Sequence, residues 1–326
     1  MYEKFFHLEK TPFSTVPDPN CVHLVGQHAD AISGLVFGVL SRKGYLVLTG
    51  EAGLGKTTAL GAMSHLLIDA NVQSSLILNP ILTAPEFMEM VMLNFGFKQI
   101  PESKAQRLKM LHDFLVHSDQ EGRVSALIVD EAHKLSADLL EEIRLLGNFE
   151  AADHKLLQIV LVGQDELNQR LNLPELWQLK QRMALRMTLH RLDRDAVEQY
   201  VRFRWGKAGG ADPMPFTDQA IDAIAGWSHG IPRLINAICD NALLIAFSET
   251  AQFVDVSQVR DACSELDLPT PAVKARLRPI PVPAPTLQAV PQPGPVAVES
   301  PTQLSVPSFW EDSRPSLLKK WLRMGS

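Results

Sequence analysis

Between residues 44 and 189, short runs of apolar, β-branched residues alternate with longer stretches in which apolar residues return at the helical spacing of three and four. This alternation predicts an α/β fold, a parallel sheet flanked by helices, because parallel neighbours need a long crossover that a helix fills. The strands are predicted at 45–49, 75–78, 124–129, 156–162 and 183–189. Their near-continuous hydrophobicity fits strands buried on both faces. Thr83, Pro85 and Glu86 form a helix-start signal, and Phe87, Val91, Met92 and Phe95 make the apolar stripe that follows, up to Gly96. Ser103 opens another helix with Leu108, Leu111 and Leu115 facing inward. Met88, Met90, Met92 and Met110 have helical spacing and are expected to fill the core.

After Arg191 the strand signals stop, and helices are predicted at 193–208, 217–228, 232–248 and 257–266. Four short helices make a small all-helical domain. A run rich in proline follows (RPIPVPAPTLQAVPQPGPV), which buries little and favours an extended linker. In the last residues, Leu317, Leu318, Trp321 and Leu322 fall near one helical face, with Lys319, Lys320 and Arg323 largely elsewhere. A basic amphipathic helix suits docking to a partner or a membrane surface. So short a segment does not hold a helix alone, so a frayed tail is the competing reading. The resulting plan is an N-terminal segment (1–44), an α/β core (45–190), a helical lid domain (191–267), a Pro-rich linker (268–308) and a basic tail (309–326).

Composition narrows this picture. A chain of 326 residues with 46% hydrophobic residues builds a real core, which excludes a disordered protein. No apolar run is long enough for a membrane-spanning helix and the first thirty residues lack a signal-peptide pattern, so a cytoplasmic location is expected. Cys21, Cys239 and Cys263 are scattered, without metal-type spacing, and are expected to be reduced and structural. The net charge of −6 conceals a body at −10 and a segment from residue 268 onward at +4. An acidic body argues against coating nucleic acid by bulk charge.

The strongest chemical signal is Gly50-Glu51-Ala52-Gly53-Leu54-Gly55-Lys56-Thr57, followed by Thr58, between an apolar strand and an amphipathic helix. The pattern is G-x-x-x-x-G-K-[ST]. Glycines let successive amides turn inward around phosphates and the helix start adds partial positive charge. Lys56 would neutralise the β- and γ-phosphates, and the Thr57 hydroxyl would meet Mg2+. About seventy-five residues on, the strand Ala126-Leu127-Ile128-Val129 ends in Asp130 and Glu131. Asp130 is placed for the Mg2+ shell, and Glu131 for polarising a water in line with the γ-phosphate. Gln164 ends the next strand and would point into the same crevice. Pro232 before Arg233 puts that guanidinium at a helix start, away from the stripe of Leu234, Ile235 and Ile238.

These elements in this order resemble the AAA+ ATPases. The opening MYEKFF, then PFS and PDP, GEAGLGKTT, VDEAHKLS, LEEIRLLGNFE, LLQIVLVGQDEL and GIPRLINAICDNALL resemble the general secretion pathway protein A group, also called ExeA-like, which includes ATPases encoded with polysaccharide-export loci. The resemblance covers about residues 1–267. It implies a P-loop NTPase core with a helical lid, ATP and Mg2+ as ligands, Lys56 and Thr57 as Walker A residues, and Asp130 and Glu131 as the Walker B pair. It puts Gln164 at sensor 1, where many members have Asn, and Arg233 at sensor 2. Arg182 would be the arginine finger offered to a neighbouring subunit, with Arg186 in reserve, so a homo-oligomer is expected. The expected role is to power or regulate assembly of an envelope secretion or export system. The tail would reach an inner-membrane or export-machinery partner, making the location peripheral at that membrane. Members of the group often continue into a membrane span and a peptidoglycan-binding domain, where this sequence has a proline linker and basic tail, so direct cell-wall binding is not expected. The alternative is a nucleic-acid-linked ATPase of the helicase-loader or transposition-target type, which the sequence favours less because residues 1–267 hold no basic run. A nucleotide kinase, which shares the phosphate loop, is disfavoured by the Asp130-Glu131 pair and the lid arginine.

Overall fold

The computed structural model describes residues 1–14 and 26–269. Cys21, the proline-rich segment and the basic tail with its docking role lie outside the described residues. Among the described residues five strands are present: β1 (Tyr45–Thr49), β2 (Gln73–Ile77), β3 (Ser125–Val129), β4 (Leu157–Gly163) and β5 (Met183–Thr188). They pair in the order β2-β3-β4-β1-β5, every pairing parallel. Each lies where the hydrophobic pattern puts it, with ends moved by a residue or two. The helices are α1 (Tyr2–Phe5), α2 (Gln27–Leu40), α3 (Lys56–Asp69), α4 (Ala84–Asn94), α5 (Lys104–Gln120), α6 (Ala137–Leu146), α7 (Glu166–Leu171), α8 (Trp177–Gln181), α9 (Arg194–Lys207), α10 (Asp218–Ser228), α11 (Pro232–Ser248) and α12 (Val256–Glu265).

Because successive strand residues point to opposite faces, the sheet feeds two cores. Tyr45, Val47, Leu127, Val129, Ile159 and Leu161 pack with α4 to α8 on one face. Leu46, Leu48, Ala126, Ile128, Val160 and Val162 pack with α2 and α3 on the other. Glu86 closes the start of α4 by accepting the Thr83 backbone N–H at 2.8 Å. Met88 and Met92 are buried and Met110 packs at the margin, but Met90 is 40% exposed, which corrects the expectation that all four fill the core. Two residues advance a helix by about 200°, so Met90 faces away from the side that holds Met88 and Met92.

A third core forms inside the helical bundle α9 to α12. Side chains cap these helices: at the expected starts Asp193 accepts from Ala196 N–H and Thr217 from Ala220 N–H, whereas Asp255, two residues before the expected start at Ser257, accepts from Val256 N–H. Cys239 and Cys263 are buried there as free thiols. Tyr2, Phe6 and Phe13 complete this core, and the Tyr2 hydroxyl donates to the Asp240 carboxylate. Arg204, only 9% exposed, donates to the carbonyls of Pro12 at 2.7 Å and Ser14 at 3.0 Å. The beginning of the chain is thus tied to the bundle, whereas α2, only a little further on, packs on the sheet. No helix among the described residues is long and apolar enough to cross a membrane.

Candidate nucleotide-binding site

The site is assembled at the carboxyl end of the sheet, where Thr49 of β1 lies between Gly163 of β4 and Thr188 of β5. The chain leaves β1 as a loop over residues 50–55 and enters α3 at Lys56. Gly53 and Gly55 have φ of +84° and +88°, a left-handed backbone that suits glycine. A Cβ on Gly53 would also lie 2.9 Å from Ile231 and 3.1 Å from the Cβ of Arg233, so the loop admits the start of α11 only because that position is glycine. Leu54 anchors the loop in the core while Ala52 faces solvent and Thr58 is half-buried. Glu51 is held by Arg191, whose Nη2 lies 2.6 Å away, and that guanidinium keeps its carboxyl below the usual range.

Lys56 is 6% exposed, and its Nζ donates to the carbonyls of Gly50 and Glu51 at 2.8 Å each. Burial pulls this ammonium below its ordinary pKa, against the opposing pull of Glu131 and Asp130. Thr57 Oγ1 donates to Asp130 Oδ2 at 3.1 Å. Asp130 is 3% exposed, its backbone N–H is bonded to Ile77 O, and its Oδ1 accepts the Glu131 N–H at 2.8 Å. Burial pushes this carboxyl upward, although the hydrogen bonds work against it. Glu131 takes a left-handed φ of 51°, which costs on the order of 1 kcal/mol in a non-glycine residue. This turn ends the strand and aims the carboxylate at His133 Nε2 (3.4 Å) and Lys134 Nζ (3.2 Å).

The structure therefore brings Lys56, Thr57, Asp130 and Glu131 to one place. Gln164 joins them at the tip of β4, where its backbone N–H donates to His133 Nδ1 at 3.3 Å. Arg233 approaches from the bundle: its backbone N–H donates to Gly53 O at 3.2 Å, and its side chain is exposed. Arg182 stands apart, just before the amino end of β5, with Nη1 2.5 Å from Asn148 Oδ1. Arg186 lies within β5 with Nη2 3.4 Å from the Lys180 carbonyl. The thread of the chain alone did not reveal His28, whose Nε2 is 2.7 Å from the Leu54 carbonyl, or Asn168, which donates to Thr49 Oγ1 at 2.8 Å. His133 was visible in the run after Asp130, but no spacing rule marked it.

The donor set fits a divalent hard cation, since a buried carboxylate and a threonine hydroxyl converge and both offer oxygen. A buried ammonium whose hydrogen-bond partners are two carbonyls, beside the amide-rich start of α3, fits an anion.

A match to the AAA domain family spans residues 39–171. Over 252 residues the chain is 40% identical to General secretion pathway protein A of Aeromonas hydrophila. The match takes in 76% of this chain but 45% of that protein, so the chain spans less than half of its relative's length. Among solved structures, Cdc6p from Pyrobaculum aerophilum superposes with a TM-score of 0.58 at 18% identity, over 78% of this chain and 70% of that one. The Aeropyrum pernix ORC2 protein gives 0.57 at 16%, over 79% and 72%. The Thermotoga maritima RuvB Holliday junction branch migration motor gives 0.51 at 16%, over 75% and 71%. At such identities these likenesses bear on fold alone. With the AAA-domain match lying across the phosphate loop and the acidic strand end, the chain carries an AAA domain and is related to General secretion pathway protein A.

Proposed function

We propose that the chain binds ATP along Gly50 to Thr58 and hydrolyses it with Glu131 as the base. The observation that carries this reading is the convergence of a buried Lys56 ammonium, the Thr57 hydroxyl and the buried Asp130 carboxylate at one strand end. Lys56 exchanges its two carbonyl partners for phosphate oxygens. Thr57 and Asp130 hold Mg2+, which when bound neutralises charge on the β- and γ-phosphates. Glu131 accepts a proton from the attacking water, which Gln164 orients. Arg233, reaching from the first turn of α11, answers the γ-phosphate, so that the bundle acts as a lid. Arg182 serves a neighbouring copy in a homo-oligomer, with Arg186 in reserve. Support for this last role is its position at the other end of the sheet from Lys56 in its own chain. The work coupled to the cycle is assembly or regulation of an envelope secretion or export system, which rests on the kinship with General secretion pathway protein A.

Glu131→Gln is expected to retain ATP and lose turnover by roughly 10^2- to 10^4-fold. Wild-type hydrolysis in that variant would remove Glu131 from its role. Chelation of divalent cations is expected to stop turnover and added Mg2+ to restore it. Capture of envelope-export proteins by ATP-loaded Glu131→Gln protein supports the cellular role. Strong stimulation of turnover by DNA at low salt, with none by membrane extract, would replace it with a nucleic-acid-linked one.

A further inference from the structure

Between Glu131 and Gln164 stands a side chain that none of the roles above uses. His133 lies in a one-turn 3-10 helix, Ala132–Lys134, directly after the acidic pair, and its side chain is 12% exposed. Its Nδ1 faces the backbone N–H of Gln164 at 3.3 Å, and its Nε2 faces Glu131 Oε2 at 3.4 Å. A backbone N–H can only donate, so Nδ1 must present its lone pair. The ring proton is then on Nε2, 3.4 Å from the Glu131 carboxylate oxygen. At 3.4 Å this is a contact within ion-pair range rather than an aligned hydrogen bond, and contacts of this kind commonly tighten when substrate closes the site.

The surroundings hold the ring in this pose. The His133 carbonyl accepts from Arg170 Nη1 of α7 at 2.5 Å. On the other side Gly163 offers no side chain, and a Cβ there would lie 3.1 Å from the His133 nitrogen and 3.4 Å from Nδ1. The tip of β4 can therefore press against the imidazole. Lys134 also reaches Glu131, but its side chain is 45% exposed and on a flexible stem, so it supplies charge without fixed direction.

We infer that His133 is a positioning residue: it reads the place of the Gln164 amide through Nδ1 and orients the Glu131 carboxylate through Nε2–H. This inference rests on the reading in which Glu131 is the base. Its consequence is that the strand tip bearing Gln164 and the base move as one unit, so a shift in either is felt by the other. Misplacing a catalytic group by about 1 Å can reduce rate by as much as 10^2-fold, which sets the scale of the effect.

Two substitutions separate the two ring nitrogens. His133→Asn places an oxygen where Nδ1 was and nothing at Nε2, whereas His133→Gln places an amide nitrogen near Nε2 and nothing at Nδ1. In the full chain, His133→Asn is expected to lower kcat by about 10- to 10^2-fold with KM for ATP within about twofold, and His133→Gln to recover most of that loss. Added to Glu131→Gln, His133→Asn should lower turnover no further, because the group it positions is already gone. Long-range proton–nitrogen correlation on nucleotide-free wild-type protein should show the Nδ1 lone pair free of a proton and the ring proton on Nε2, a readout independent of any variant's folding. A proton found on Nδ1, a His133→Asn variant with kcat within twofold of wild type, or a KM that rises in step with the loss of kcat would each overturn the inference. Full activity in Glu131→Gln alone would instead remove the base assignment, so the two failures are distinguishable.

Discussion

At the amino end of the sheet, buried Tyr45 donates to the carbonyls of Ile143 and Arg144 at 3.1 Å each, and fully buried Gln158 accepts the Gly44 N–H and donates to Lys155 O, both at 2.8 Å. At the carboxyl end, buried Lys56 and Asp130 are charged groups whose pKa values are displaced by burial in opposite directions, the ammonium down and the carboxyl up. Neutral groups with matched partners add to stability without needing anything else. Buried charges pushed toward neutrality wait for a ligand of opposite sign, and an anion for one with a cation for the other answers both. The three central strands, β1, β3 and β4, are buried from end to end, so along them the difference between scaffold and site lies in how polar groups are satisfied.

The largest expected effect breaks the carboxyl end alone. Lys56→Ala should abolish measurable ATP binding by calorimetry and reduce turnover at least about 10^2-fold. The nucleotide-free unfolding midpoint should stay near the wild-type value, since the desolvation cost of the removed ammonium offsets its two carbonyl bonds and its attraction to Asp130 and Glu131. A large fall in that midpoint would show that Lys56 is part of the scaffold and would erase the contrast. The next effect reverses the pattern. Gln158→Leu strands a buried N–H and a part-buried carbonyl, so it should lower stability by about 1 to 3 kcal/mol in denaturant titration, while turnover per folded molecule holds within about twofold.

The contrast also explains what was legible from residues alone. The strands, the loop from Gly50 to Thr57 and the acidic pair were readable because local pattern carries them: β-branched runs, glycines where the backbone turns left-handed, and carboxylates at a strand end. The helix starts at Thr83, Asp193 and Thr217 were readable for the same reason. Met90 failed because a methionine-rich helix offers two faces, and a shared residue type obscured the phase. His28 and Asn168 were invisible because their importance comes from partners 26 and 119 residues away, at the Leu54 carbonyl and the Thr49 hydroxyl. The bond from Tyr2 to Asp240 spans 238 residues and was equally unreadable. Parallel sheets gather distant segments at their strand ends, so a site's local motif is legible and its supporting contacts are not.

The smallest expected effect sharpens the comparison through pH. His28 projects from α2 to the Leu54 carbonyl, and burial pulls its pKa below the ordinary 6.5, with the Leu54 bond pulling the other way. Below 6.5 the unfolded chain takes up a proton that the folded chain refuses. Unfolding then binds protons, so the contribution of His28 is fully present above the unfolded value and is lost as pH falls through the folded one. His28→Gln can keep an amide donor for Leu54 O without titrating. Wild type and variant should therefore have similar midpoints at pH about 8, and wild type should lose more on acidification toward pH about 5.5, with the other titrating groups cancelling in the difference. Parallel curves would mean that the His28 ring takes up its proton as freely in the fold as in the open chain. Divergent curves would extend the contrast between the sheet ends to a third group, because Leu54 belongs to the phosphate loop and burial of the ring beside that loop disfavours its charged form.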